Sequence, residues 1–155
     1  LPAFGHEPFA GTFHARLEGN GRLVVPSALR APFLAAGSAQ LMPNKGSLWL
    51  FTPQGFEVTV DHLIASASGA VDPRTRSRLF MASPKASVDK QGRLVVPPEQ
   101  RARLGIDGEA DVVLAGSIEH VELWTAAAWQ AQEAERLADG ELLFEGFGGL
   151  PTGPA

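Results

Sequence analysis

Two short runs of this chain each carry an acid, a glycine–arginine pair and an apolar strand. Leu17 to Arg30 reads LEGNGRLVVPSALR, and Val88 to Arg101 reads VDKQGRLVVPPEQR; six consecutive residues are identical. In each copy a carboxylate stands four residues before the arginine, Glu18 before Arg22 and Asp89 before Arg93. In a hairpin with a three-residue loop these flanking residues oppose one another across the strands. The carboxylate can then accept hydrogen bonds from the guanidinium and fix its direction. A single such pair would read as a surface ion pair worth roughly 0–1 kcal/mol. Retention of the acid together with Gly-Arg in both copies suggests instead that the position of the arginine matters. A fixed guanidinium is a planar, permanently charged fork suited to phosphate oxygens or to the O6/N7 edge of guanine. A two-stranded ribbon fits the major groove of double-stranded DNA. Arg16 and Lys90, beside the two turns, would supply phosphate contacts, which position without specifying sequence.

Other chemistries are poorly supplied. The chain has no cysteine and no tyrosine, which removes disulfides, thiolate chemistry and two common catalytic groups. His6, His14, His62 and His120 are isolated, without metal-ligand spacing. The glycines form neither a Walker A sequence nor a strand-linked GxGxxG. No catalytic residue, metal or cofactor is expected, and the chain reads as a non-enzyme. Trp49, Trp124 and Trp129 lie on apolar-rich elements and read as core or subunit-interface packing.

The elements that must position the two arginines repeat with them. Gly37 matches Gly108, and LWLFTPQGF from Leu48 resembles VELWTAAAW from Val121. Two halves follow, 9–70 and 71–139, with a flexible tail at 140–155 in which Leu142, Leu143, Phe144 and Phe147 could dock on a neighbour. Thr12 to Glu18 and Lys85 to Asp89 alternate apolar and polar residues, as half-buried strands do. Gly-Asn-Gly at 19–21 is a hairpin turn, with Lys90-Gln91-Gly92 as its looser counterpart. Leu23-Val24-Val25 and Leu94-Val95-Val96 read as buried strands. Short helices should follow over Ser27–Leu34, disturbed by Pro32, and Glu99–Leu104, stopped by Gly105. Leu48–Phe51, Val121–Trp124 and Asp111–Leu114 read as further strands. Thr52 and Thr125 read as helix N-caps, Asp72-Pro73 as another helix start, and Gly140 as the stop of a helix over Ala126–Ala138.

The chain has 155 residues, 45% hydrophobic, with a formal net charge of −4. That sum argues weakly against a nucleic-acid partner, but its distribution is uneven. Six basic residues face two acids between Asp72 and Arg93, and three face one between Arg16 and Arg30. From Asp107 to Glu145, ten acids face Arg136 alone. A polyanion feels the local field more than the total. Nothing approaches a membrane span, and the opening LPAFGHEP lacks the character of a signal peptide. A cytoplasmic, nucleoid-associated protein is expected.

FAGTFHARLEGNGRLVVPSALR resembles the opening F-x-G block and D-x-K-G-R-x-x-x-P motif of the MraZ family. RLFMASPKASVDKQGRLVVPPEQRARLGI and HVELWTAAAW resemble its second block, so the resemblance covers nearly all of Phe9 to Trp129. It implies an α+β, mainly β fold: two pseudo-symmetric SpoVT/AbrB-like halves forming a swapped-hairpin β-barrel with short helices. It further implies ring homo-oligomers of eight or twelve subunits. Such rings bind short G-rich direct repeats and usually repress the division and cell-wall gene cluster, their own gene included. The family's carboxylates and arginines carry onto Glu18, Arg22, Asp89 and Arg93. Glu18 departs from the usual Asp, and Asn20 stands where Lys is common. Arg22 would therefore be oriented differently, with one fewer positive charge beside it to meet a phosphate. The candidate DNA-contacting set is Arg22, Arg93, Glu18, Asp89, Arg16, Asn20 and Lys90. The alternative is an AbrB-like antitoxin or protein-interaction module acting through the tail. A full second copy disfavours it, because such antitoxins usually carry one short copy.

Overall fold

The structure, a computed structural model, describes residues 3–67, 69 and 71–138. The expected tail at 140–155 and the helix stop at Gly140 lie outside the described residues.

Two sets of elements run in the same order. The first is β1 (Thr12–Leu17), β2 (Arg22–Val24), α1 (Ser27–Ala36), β3 (Ser38–Asn44), β4 (Ser47–Phe51) and α2 (Pro53–Ser66). After α3 (Thr75–Ala82) come β5 (Lys85–Ser87), β6 (Arg93–Val95), α4 (Pro98–Arg103), β7 (Ala110–Ser117), β8 (His120–Thr125) and α5 (Ala126–Ala138). Six strands form an antiparallel sheet in the order β1-β7-β8-β4-β3-β5, and β2 and β6 form a separate ribbon. Each set lends its first strand to the other: β1 pairs with β7, and β5 with β3.

A pseudo-two-fold runs through this arrangement. Leu48 faces Leu123 and Leu50 faces Val121 across β4 and β8. Arg22 faces Val95 and Val24 faces Arg93 across the ribbon, with Leu23 opposite Leu94 at its centre. The edge strands β1 and β5 each turn directly into the ribbon, where the Glu18 N–H donates to the Arg22 carbonyl and the Asp89 N–H to the Arg93 carbonyl. The α+β, mainly β class expected from the sequence is the one that forms. Its strands make a six-stranded sheet bridged by a ribbon, rather than one closed ring of hydrogen-bonded strands.

One apolar core joins both sets. Leu17, Leu23, Leu29 and Phe33 meet Leu94, Val112, Leu114 and Leu123 within it. Burying each such side chain contributes about 1.5–3 kcal/mol. A smaller cluster lies under α2 and α3, where Phe56 meets Phe51 at 5.8 Å and Phe80 at 4.8 Å, both edge-on. The tryptophans pack as their apolar surroundings suggest. Trp49 stacks on the buried His120 ring at 3.8 Å, and Trp124 meets Trp129 edge-on at 6.0 Å. Glu122 ties this region together, accepting from Trp124 Nε1 at 2.9 Å and lying 3.1 Å from His120 Nε2.

Several elements differ in detail from expectation. The apolar triplets are not buried throughout. Leu23, Val25, Leu94 and Val96 are buried, but Val24 and Val95 are 45% and 52% exposed. The ribbon lies on the core by one face, so alternate residues point to solvent. Strand β3 is not among the expected elements, because serine, glutamine, asparagine and Pro43 obscure its alternation. Helix α1 runs through Pro32 to Ala36, and left-handed Gly37 closes it by donating its N–H to the Phe33 carbonyl. Thr52 and Thr125 do cap α2 and α5, accepting from the N–H groups of Gly55 and Ala128, each at 3.1 Å.

Both turn glycines have positive φ, 88° at Gly21 and 79° at Gly92. A Cβ on Gly21 would lie 2.5 Å from the Val96 carbonyl oxygen, whereas the three atoms nearest one on Gly92 all belong to the Arg30 side chain. Left-handed strain costs about 1–2 kcal/mol in either case. Gly92→Ala should therefore lose at least that much stability, because its Cβ also displaces the Arg30 side chain, and Gly21→Ala more, because backbone yields less than a side chain. Chemical denaturation of the two variants in parallel checks the order.

Candidate nucleic-acid interface

The two arginine turns share a backbone but not a bracing scheme. In the second copy Asp89 does two jobs. Its Oδ1 accepts from the N–H groups of Gln91 and Arg93, each at 2.9 Å, and shapes the turn. Its Oδ2 accepts from Arg93 Nε at 2.7 Å and aims the guanidinium. The bond from the Arg93 backbone N–H is the main reason the Asp89 carboxyl sits below the usual aspartate range; the guanidinium and the Gln91 N–H add to it.

In the first copy the same jobs fall to two residues. Asn20 Oδ1 accepts from the Arg22 N–H at 3.0 Å and shapes the turn. Glu18 Oε2 lies 3.6 Å from Arg22 Nε, an ion pair too long to be a hydrogen bond. The extra methylene of glutamate, with asparagine two residues on, leaves Arg22 attracted but not pinned. Arg22 is thus held differently from Arg93.

Beneath the turns the halves lock together. The Val25 N–H donates to the Gly92 carbonyl at 2.9 Å, and the Val96 N–H to the Gly21 carbonyl at 2.8 Å. Arg30 Nε donates to the Val25 carbonyl and Arg101 Nε to the Val96 carbonyl, each at 3.0 Å. Arg101 also reaches the Gly19 carbonyl at 3.2 Å. Each of these arginines thus lies against the glycine of the other copy's turn. Arg30 and Arg101 match one another in the repeat, but sequence reasoning does not assign them a strut role; their shared position after the proline is the available signal.

The ribbon's outer face carries Arg22 and Arg93, with side chains 47% and 42% exposed, beside Val24 and Val95. A shallow groove of about 290 Å³ runs along it, lined by Arg22, Asp89, Arg93 and Val95 among others. Lys90 is exposed at the turn tip and makes no ion pair among the described residues. The structure therefore gathers Glu18, Asn20, Arg22, Asp89, Lys90 and Arg93 on or beside one ribbon. Arg16 is placed differently. On β1 it lies directly opposite Asp111 of β7, bonded to Asp111 at 2.8 Å and to Glu109 at 2.7 Å. The basic run on α3 is likewise occupied: Arg76 bonds Asp61 and Glu57, and Arg78 pairs with Asp72. Among the described residues no group of three or more side chains could hold a metal ion, and no helix is long and apolar enough to cross a membrane.

A family profile described as "MraZ protein, putative antitoxin-like" matches residues 79–141. Curated relatives named transcriptional regulator MraZ align with most of the chain. That of Kocuria rhizophila is 33% identical over 131 residues, which span 84% of this chain and 90% of the relative. That of Salinispora tropica is 34% identical over 128 residues, spanning 82% and 88%. That of Desulfosudis oleivorans is 31% identical over 126 residues, spanning 81% and 85%.

The bracing by Asp89 is measurable. A depressed carboxyl pKa means that the Asp89 bonds persist above the ordinary aspartate midpoint, about 3.9, and give way only as pH falls through a lower value. The Arg93 Nε–H resonance should hold its hydrogen-bonded chemical shift down through the ordinary aspartate midpoint, about 3.9, and move only on further acidification, as the Asp89 carboxylate is protonated.

Proposed function

The chain belongs to the MraZ family, and from that premise we propose that it is a DNA-binding transcriptional regulator whose β2/β6 ribbon enters the major groove. One observation carries the reading: two acid-paired guanidinium groups stand on the solvent face of a ribbon whose other face is locked into the core. Arg22 and Arg93 take guanine O6/N7 edges or adjacent phosphates. Asp89 directs Arg93, while Glu18 and Asn20 hold Arg22 more loosely. Lys90 takes a backbone phosphate, and Asn20 stands beside the same groove. Arg16 remains with Glu109 and Asp111 and is kept outside the contact set.

A single ribbon offers few contacts. In this proposal the chain assembles through its two halves, 9–70 and 71–139, into a ring of eight or twelve subunits that presents several ribbons on one face. Short G-rich direct repeats are then bound through effective concentration rather than single strong contacts. The chain would act in the cytoplasm, on the nucleoid, repressing its own promoter and the division and cell-wall genes. Its acidic balance is compatible with this, because acids such as Glu109 and Asp111 are engaged by Arg16. The antitoxin wording of the family description keeps one rival open. A stoichiometric protein partner that no longer binds after truncation at Gly140 would favour that rival.

Fluorescence anisotropy against duplexes from the chain's own upstream DNA tests the proposal. Arg22→Ala and Arg93→Ala should each cost roughly 1–3 kcal/mol of binding, with Arg93→Ala also open to effects on assembly. Arg16→Ala should bind within about twofold of the parent. Affinity should fall linearly with salt on logarithmic axes. Unchanged affinity in the Arg22 variant at physiological salt would refute the reading.

A further inference from the structure

Two valines on the ribbon are exposed rather than packed into the core. Val24 and Val95 occupy matched positions in the two copies and point away from the core, whereas their neighbours Leu23, Val25, Leu94 and Val96 are buried. Scattered surface valines need no explanation, but these two share their face with the braced arginines. Val95 lies directly opposite Arg22, and Val24 directly opposite Arg93. The four side chains mark the corners of a parallelogram, arginines on one diagonal and valines on the other.

We infer that Val24 and Val95 are specificity-determining residues that pack against the C5-methyl groups of thymines one or two base steps from the guanines taken by Arg22 and Arg93. The inference rests on the proposed major-groove reading. Only the major groove displays the thymine methyl, and apolar side chains are the groups that recognise it. Spacing agrees. Two residues of strand advance about 7 Å, close to two base steps of about 3.4 Å each. The valine and arginine of one strand therefore reach bases about two steps apart. Cross-strand neighbours are about 5 Å apart, so each valine also sits beside the other copy's arginine. The charged corners exclude a purely apolar occupant, and the valine corners give a phosphate backbone nothing to bind. Together they fit a surface that alternates polar edges with methyl groups.

The test uses the full chain and a duplex enriched by it from a random-sequence pool at physiological salt. Each thymine of that duplex is replaced in turn by deoxyuridine, which removes only the methyl. The parent protein should lose about three- to fivefold affinity at each contacted thymine, the effect expected for one buried methyl. Val24→Ser with Val95→Ser, which removes both methyls of each valine, should still bind but without discriminating thymine from deoxyuridine; Val24→Thr with Val95→Thr, which keeps one methyl on each, should bind and keep part of the discrimination, which guards against a folding defect. Light scattering on both variants should show the parent's assembly mass. The inference is overturned if the parent binds the deoxyuridine duplexes as well as the original. It is equally overturned if the serine variant keeps full discrimination, or if the assembly mass of either variant changes, which would place the valines between subunits. Failure of the parent to enrich any duplex removes the DNA-binding reading itself, and this inference with it.

Discussion

The register of the β2/β6 ribbon is the constraint on which the outer surface depends. Leu23 and Leu94 face each other at the pseudo-two-fold and are buried in the core. Side chains alternate along a strand, so fixing these two inward sends Arg22, Val24, Arg93 and Val95 outward. A slip of one residue would bury two arginines and expose two leucines. The register is locked from both ends, by Val25 and Val96 donating to the carbonyls of Gly92 and Gly21. Each glycine also gives the close approach its partner's strut arginine needs. Neither copy can form this lock alone. The duplicated sequence therefore makes one device from two halves, and the exchange of β1 and β5 between the halves brings both turns to the same ribbon.

Within that shared frame the two prongs differ. Asp89 is short enough to hold its own turn with one oxygen and Arg93 with the other. Glu18 is longer, and Asn20 takes over the turn, leaving the Glu18–Arg22 pair at 3.6 Å. Pre-organisation lowers the ordering cost of a contact, so in the proposed reading Arg93 is the prong that meets a fixed acceptor. Arg22 retains freedom to adjust. A ribbon with one rigid and one adaptable prong suits a site whose halves are similar but not identical.

Much of this frame is legible in the sequence, because its signals are local. The Gly-Arg-Leu-Val-Val-Pro repeat, the acid four residues before each arginine and the caps at Thr52 and Thr125 each act within a few residues. What stays hidden depends on partners far away in the chain. Arg16 reads as a free cation until β1 pairs with β7 and sets Asp111 opposite it. Val24 and Val95 read as buried because an apolar triplet cannot reveal that only one face of its strand meets the core. Strand β3 escapes notice because it is rich in polar residues and contains Pro43; its buried Gln40 donates to the distant Ser83 carbonyl. Arg30 and Arg101 are visible as a matched pair, but a strut across two turns cannot be inferred before those turns are brought together.

The central claim is that the ribbon reads guanine edges from the major groove. Dimethyl sulfate methylates guanine at N7, the atom a guanidinium would cover there, and adenine at N3 in the minor groove. Footprinting the assembled protein on its own upstream DNA should show guanines protected at N7 in each repeat, with adenine N3 reactivity unchanged. Unprotected guanines on a fully bound duplex, or protection confined to adenine N3, would contradict it.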